Sequence, residues 1–192
     1  MLEPFAILLI AVHGLGACLG AGGALFAEIF YAKATADGRL DRRERDWFRS
    51  TFFALRWGMT LVLISGILLV IVQYFLPNSP ERVLHPSLWV QNLLALIIIV
   101  FAYLLARKQI TWHVGAAAVF AGWWMIFTLD VWQGGVYPLL ILMALYVALV
   151  LASMTFWGYV SALARAKSLA ITVAELRERE RAHHGHMHPH HK

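Results

Sequence analysis

His13 stands inside a long run of apolar residues, and it is the first side chain in this sequence whose type and position suit chemistry. Polar groups are costly in hydrocarbon, so they usually face other protein or a water-filled cavity and often mark a functional site. One imidazole nitrogen can ligate haem iron or copper while a hydrogen bond holds the other nitrogen. The competing interpretation is a structural histidine, bonded to a backbone carbonyl or a neighbouring hydroxyl group.

Two side-chain amides, Gln91 and Asn92, are the predicted partners of His13. Counted along the helices from their outer ends, His13 lies about 12 Å deep and the amides about 8 Å deep. Gln73 and Asp130 are predicted just above them. This outer layer is either a pocket for haem b or copper, in which an amide orients the ring or bonds a propionate or quinone oxygen, or a polar clasp contributing about 1 kcal/mol to helix association.

A second polar layer, made of Glu28, Arg56 and His113, is predicted near the opposite, inner edge of the apolar region. Its level differs from that of His13 by roughly 13 Å, so His13 and His113 should not bind one metal ion. An acid and a guanidinium at similar depth offset each other's burial cost, which predicts a structural ion pair. The alternative is a proton entry path that includes His113.

Histidines are also dense at the C-terminal end, where nine positions hold six of them: His183, His184, His186, His188, His190 and His191. Imidazoles suit copper, nickel or zinc, but this spacing defines no coordination geometry. Residues 183–192 therefore form either a metal-buffering or metal-delivering tail, or a disordered tail without such a role, such as a remnant of cloning. Just before it, Leu169, Val173 and Leu176 recur at helical spacing, which predicts an amphipathic cytoplasmic helix over residues 166–182.

The composition places these residues in an integral membrane protein. Of 192 residues, 60% are hydrophobic and 14% are charged, whereas an ordinary soluble domain is about 25% charged. The mean hydropathy is +0.67. The basic residues lie between and after the apolar runs and form no aromatic-lined patch, so we expect no nucleic-acid partner. A single cysteine, Cys18, excludes an intrachain disulfide and disfavours a thiolate metal site.

The apolar runs predict an all-α fold, a polytopic membrane bundle of five transmembrane helices over residues 1–165. The runs cover residues 5–31, 52–76, 87–106, 110–130 and 136–164. The connection of residues 32–51 is rich in lysine and arginine, which places it on the cytoplasmic side. We therefore expect the N-terminus outside, the C-terminus in the cytoplasm, and a multi-pass protein of the cell inner (plasma) membrane.

Short motifs follow His13 along the chain: Gly20-Ala21-Gly22-Gly23-Ala24-Leu25-Phe26, a basic loop, then Gly58-Met59-Thr60 and Ser65-Gly66. Over residues 5–106 this order resembles the HemJ-type protoporphyrinogen oxidases and the copper-resistance protein D group. The resemblance implies a small helical bundle in which His13 helps to bind b-type haem or a copper-related ligand. HemJ-type proteins carry a lysine in the third span, where this chain has Gln91 and Asn92, so the resemblance extends to haem or metal binding and not to oxidase activity.

Together these features predict a membrane protein that holds haem b, or copper, near the outer leaflet through His13, in electron transfer or in haem and metal handling. A second interpretation is a non-catalytic subunit or assembly factor that packs against a membrane-protein partner, or a second copy, through small-residue faces such as Gly16 and Gly20. A third is a metal transporter whose cytoplasmic tail collects the divalent ion. The sequence contains no nucleophile triad, phosphate-binding glycine loop or metalloprotease helix that would indicate an enzyme class.

Overall fold

The computed structural model describes residues 2–34, 42–75, 86–132 and 138–186 of the chain. Nearly all of these residues lie in α-helices, and none of them lies in a strand. The helices, numbered along the chain, are α1 (Leu2–Ala34), α2 (Arg42–Phe75), α3 (Pro86–Ala106), α4 (Trp112–Val131) and α5 (Leu139–His186).

Five helices of the described chain are long and apolar enough to cross a membrane, which confirms the predicted all-helical architecture. The shortest spans, in α3 and α4, have 18 and 20 residues. At 1.5 Å per residue they measure about 27 to 30 Å, which matches the thickness of a hydrocarbon core. Large aliphatic side chains cover the outside of the bundle, among them Leu140, which is 83% exposed. An apolar outer surface this extensive suits lipid as the surrounding solvent.

Helices α1 and α4 form the centre of the bundle. Helix α1 packs along α2 and α4, and α4 also contacts α3 and α5. The buried core combines small residues of α1, Ala17 and Ala21, with large ones of α4, Trp123 and Ile126. Helices α2 and α3 touch each other over only a short stretch. The bundle is therefore tightly closed around α1 and α4 and more open between α2 and α3.

Glycines bring the backbones of α1 and α2 into direct contact. A Cβ atom on Gly58 of α2 would lie 2.9 Å from the carbonyl oxygen of Gly16 and 2.9 Å from the amide nitrogen of Gly20. Backbone atoms cannot move away as a flexible side chain can, so these positions need glycine. Close backbone approach gives the van der Waals contact that joins helices in lipid. The G-x-x-x-G of α1 is therefore used within this bundle, against its own second helix.

Helix α5 runs without a break from Leu139 to His186. The segment predicted as an amphipathic helix, residues 166–182, is thus a continuation of the helix that holds the fifth span. Most of the predicted histidine tail is not described by the structure. Helix α5 includes His183, His184 and His186, but their side chains are not described. The other three, His188, His190 and His191, lie outside the described residues. Metal binding by this tail stays a prediction.

Candidate functional site

The His13 side chain is buried in the centre of the bundle, with 4% of its surface exposed. Its Nδ1 atom lies 3.0 Å from the hydroxyl oxygen of Ser65 on α2. That hydroxyl donates its single proton to the carbonyl oxygen of Leu61, one turn earlier in the same helix. The Ser65 oxygen must then accept a hydrogen bond from His13, because a serine hydroxyl has one proton to give. This pairing selects the imidazole tautomer that carries its proton on Nδ1.

The other ring nitrogen, Nε2, therefore presents a lone pair to the interior. It is buried, and no described residue forms a hydrogen bond with it. Buried polar atoms nearly always have a hydrogen-bond partner, so a buried imidazole nitrogen without one needs an explanation. A proton anchored on one nitrogen and a lone pair on the other is the arrangement found in metal-ligating histidines.

Side chains of α3 surround the same ring. A Cβ atom on Gly66 would lie 3.5 Å from the Oδ1 atom of Asn92 and 3.5 Å from Cε1 of His13. Both side chains therefore lie over the backbone of α2 at Gly66, where there is no side chain. Gln91 is buried, and its side chain lies close enough to the ring for a weak polar interaction, although no contact with Nε2 has the geometry of a hydrogen bond. The structure thus brings His13, Gln91 and Asn92 together. Gln73 belongs to α2, but its side chain lies outside the described part.

An acidic group completes the cluster from α4. Asp130 lies in the last turn of that helix, and a Cβ atom on Gly14 would be 2.8 Å from its Oδ2 atom. Its carboxylate is close enough for its charge to act on the His13 ring. Three helices therefore contribute polar groups around the imidazole of α1: α2 with Ser65, α3 with the two amides, and α4 with Asp130.

The donor set distinguishes between the two ligands predicted from the sequence. Within the described residues, no group of three or more histidine, cysteine, aspartate or glutamate side chains could hold a metal ion. A copper ion takes most of its ligands from the protein, commonly several imidazole and sulfur atoms. Haem iron receives four nitrogen ligands from the porphyrin and needs an axial ligand, which a single histidine can supply. The one imidazole available in the described cluster could serve as an axial ligand of haem iron, and the described residues around it add no second imidazole or thiolate.

The predicted inner layer is only partly assembled. Glu28 and Arg56 line one cavity between α1, α2, α3 and α4, but the Glu28 carboxylate is paired with no described cation, so the predicted ion pair is not formed. His113 is exposed and does not line this cavity. Its ring packs edge-on against Tyr31, with the ring centroids 5.9 Å apart.

No protein-family model, curated protein or solved structure matches this chain. The likeness to HemJ-type and copper-resistance protein D sequences therefore stays a prediction from the short motifs that carry it.

Proposed function

We propose that this chain is a multi-pass membrane protein that holds haem b through Nε2 of His13, and that it serves electron transfer or haem handling. The observation that carries the proposal is the buried lone pair of Nε2, which has no partner in the described chain while Ser65 holds the opposite nitrogen. Desolvating such an atom costs free energy, and an axial bond to iron would recover it.

The surroundings of His13 support a planar ligand with polar edges. The ring lies beside α2 and α3, which touch each other over only a short stretch, and a planar ligand would have to separate these two helices to reach it. The side-chain amides of Gln91 and Asn92 lie beside the ring and would offer polar groups to a propionate or to a second ligand. When bound, haem would supply one-electron chemistry, and the residues of this chain would orient the group and set its environment.

The proposal includes the location and orientation predicted from the sequence. The basic residues of the first connection and of the C-terminal segment favour the cytoplasmic side for both. His13 would then lie closer to the outer leaflet of the inner membrane than to the cytoplasm.

An absorbance spectrum of the purified full chain tests the proposal. We expect a Soret band, and after reduction the sharp visible bands of a b-type haem, in protein purified in mild detergent or titrated with haem. A chain that shows no Soret band in either preparation, and no saturable haem binding, would contradict the assignment. We expect added copper to bind through the histidine tail, so deletion of residues 183–192 should lower copper binding and leave the Soret band unchanged.

Replacing Ser65 with alanine should weaken haem binding without abolishing it. The variant loses the acceptor that holds Nδ1–H, so the imidazole can rotate or adopt the other tautomer. Loss of such an outer partner typically lowers metal affinity by about 10 to 100-fold. The matched control is Ser153→Ala, which removes a buried serine from α5 instead. Haem titration followed by absorbance measures both affinities, and Ser65→Thr should restore the hydroxyl acceptor. Equal affinities for Ser65→Ala and the control would show that Ser65 does not position the ring.

A further inference from the structure

A cavity of about 700 Å³ lies between α1, α2, α3 and α4, toward the end of the bundle where α1 terminates. It is distinct from the His13 site, because the ring of Trp123 lines the cavity and fills the space over Gly20, two turns along α1 from His13. Most of its lining is apolar, with Ile98 and Met59 among the contributing residues. A cavity of this size and character suits a hydrocarbon chain.

Four polar side chains also line this cavity. Glu28 is 5% exposed, and its carboxylate has no described cation beside it. The indole nitrogen of Trp112 is buried and has no hydrogen-bond partner among the described residues. Arg56 and Lys108 supply two positive charges from α2 and from the connection between α3 and α4. One carboxyl group, one neutral donor and two cations therefore border a single apolar cavity.

The cavity is accessible from the side of the bundle. Phe52 of α2 and Ile99 of α3 both line it, and they are 40% and 41% exposed on the surface between these helices. Because α2 and α3 touch over only a short stretch, a molecule dissolved in the bilayer can reach the cavity laterally. Its polar end would remain near Lys108, which follows the end of α3, and its apolar end would extend toward Trp123.

We propose that this cavity binds a phospholipid with a phosphoethanolamine headgroup. The phosphate would pair with Arg56 and Lys108, and the ammonium group would donate hydrogen bonds to Glu28. The acyl chains would occupy the apolar walls and continue into the membrane through the opening between α2 and α3. Charge complementarity selects this occupant, since it carries both signs of charge on one headgroup.

Other abundant membrane lipids match these groups less well. Phosphatidylglycerol has a phosphate and two headgroup hydroxyls but no cation, so it can offer Glu28 only neutral hydrogen bonds and no compensating charge. Phosphatidylcholine carries a positive charge, but its quaternary nitrogen has no proton to donate to the carboxylate. The proposal is independent of haem binding, because none of these residues contacts His13.

Native mass spectrometry of the full chain tests the inference. The protein is exchanged into nanodiscs that contain equal amounts of phosphatidylethanolamine, phosphatidylglycerol and phosphatidylcholine with identical acyl chains, then released and weighed with its retained lipids. We expect phosphatidylethanolamine to be retained about tenfold over phosphatidylglycerol, the ratio that one charged hydrogen bond provides. Equal retention of the three lipids, or preference for either of the others, would overturn the proposal.

Matched variants assign the preference to the cavity. Glu28→Gln should reduce the preference for phosphatidylethanolamine to near unity, whereas Glu178→Gln, an exposed acid on α5, should leave it unchanged. Lys108→Gln should weaken retention of every phospholipid, in contrast to Arg107→Gln at the neighbouring position, which does not line the cavity. An unchanged preference in Glu28→Gln would contradict the role of the carboxylate.

A cavity-filling variant covers the case in which Glu28→Gln fails to fold. Ala102 of α3 lines the cavity and is exposed at its opening, so Ala102→Trp should block the site and abolish lipid retention. The control, Ala144→Trp, adds the same ring to an exposed position of α5 and should retain the lipid. If Ala102→Trp elutes as a folded protein and still retains phosphatidylethanolamine, the lipid binds elsewhere and the inference is wrong.

Discussion

Replacing His13 with alanine is expected to remove the haem from the purified protein. The variant deletes the one buried imidazole nitrogen whose lone pair is free among the described residues, while Ser65 keeps its bond to the carbonyl of Leu61. Loss of an outer hydrogen-bond partner lowers metal affinity by roughly 10 to 100-fold. Loss of the axial ligand itself should lower the affinity for haem by more than that. The Soret absorbance per chain should therefore fall to the level of nonspecifically bound haem.

The control for this variant is His113→Ala. His113 is exposed and packs edge-on against Tyr31, so its loss should leave the Soret band, the reduced spectrum and the haem content unchanged. Circular dichroism and elution volume check that both variants keep the helical bundle. Addition of free imidazole to His13→Ala should partly restore the spectrum, because the deleted ring leaves space for a ligand of the same shape. A normal Soret band in His13→Ala, without imidazole, would rule out His13 as the ligand.

The second large effect is expected at Gly20, where α1 meets α4. A Cβ atom on this glycine would overlap the indole ring of Trp123, which is the largest fully buried side chain of the described chain. The ring is 1% exposed and packs in the core of the bundle, although one side of it borders the cavity between α1, α2, α3 and α4, so it can relax only in part. Overpacking of this kind typically costs about 1 to 3 kcal/mol. Gly20→Ala should therefore unfold at a lower temperature than the wild type, by about 2 to 4 °C for each kcal/mol.

Gly22, on the same helix, provides a control for which the expected change in stability has the opposite sign. A Cβ atom there would meet no heavy atom within 4 Å. Gly22→Ala should be neutral or stabilising by up to about 1 kcal/mol, since alanine is the better helix former. Thermal unfolding of both variants in the same detergent micelles measures the difference.

A double-mutant cycle identifies the cause of the Gly20 effect. Trp123→Leu reduces the volume of the ring, so Gly20→Ala should cost less in that background than in the wild type. An equal cost in both backgrounds, or similar unfolding temperatures for Gly20→Ala and Gly22→Ala, would show that the contact with Trp123 does not limit stability.

The close approach of the helices also matters for the candidate site. Gly16 and Gly58 allow α1 and α2 to touch along their backbones, and this contact lets the short side chain of Ser65 reach Nδ1 of His13. If the two helices were farther apart, the Ser65 hydroxyl and Nδ1 of His13 would both be buried but too distant to form their hydrogen bond. The small residues and the polar cluster are therefore two parts of one arrangement, in which packing positions the imidazole.

The sequence by itself determined the number of helices that are long and apolar enough to cross a membrane, and the burial of His13. A run of apolar residues long enough to cross a membrane is a local property, and the cost of polar groups in hydrocarbon predicts that an embedded histidine turns inward, as it does here. Depth counted along each helix also predicted which groups share a level. The amides on α3 do lie beside His13. A neighbouring hydroxyl was one predicted partner of the ring, and the structure identifies it as that of Ser65.

Only the tertiary structure decided which side chains meet within a level. Glu28 and Arg56 lie close enough in depth to predict an ion pair, yet they line a cavity without pairing. Contact requires the correct rotation of each helix and the correct lateral distance between helices, and neither follows from position along the membrane normal. Both are set by long-range packing, such as the glycine contacts of α1 with α2 and the fit of Trp123 over Gly20. The gap between α2 and α3, and the cavity beside it, arise from that packing as a whole.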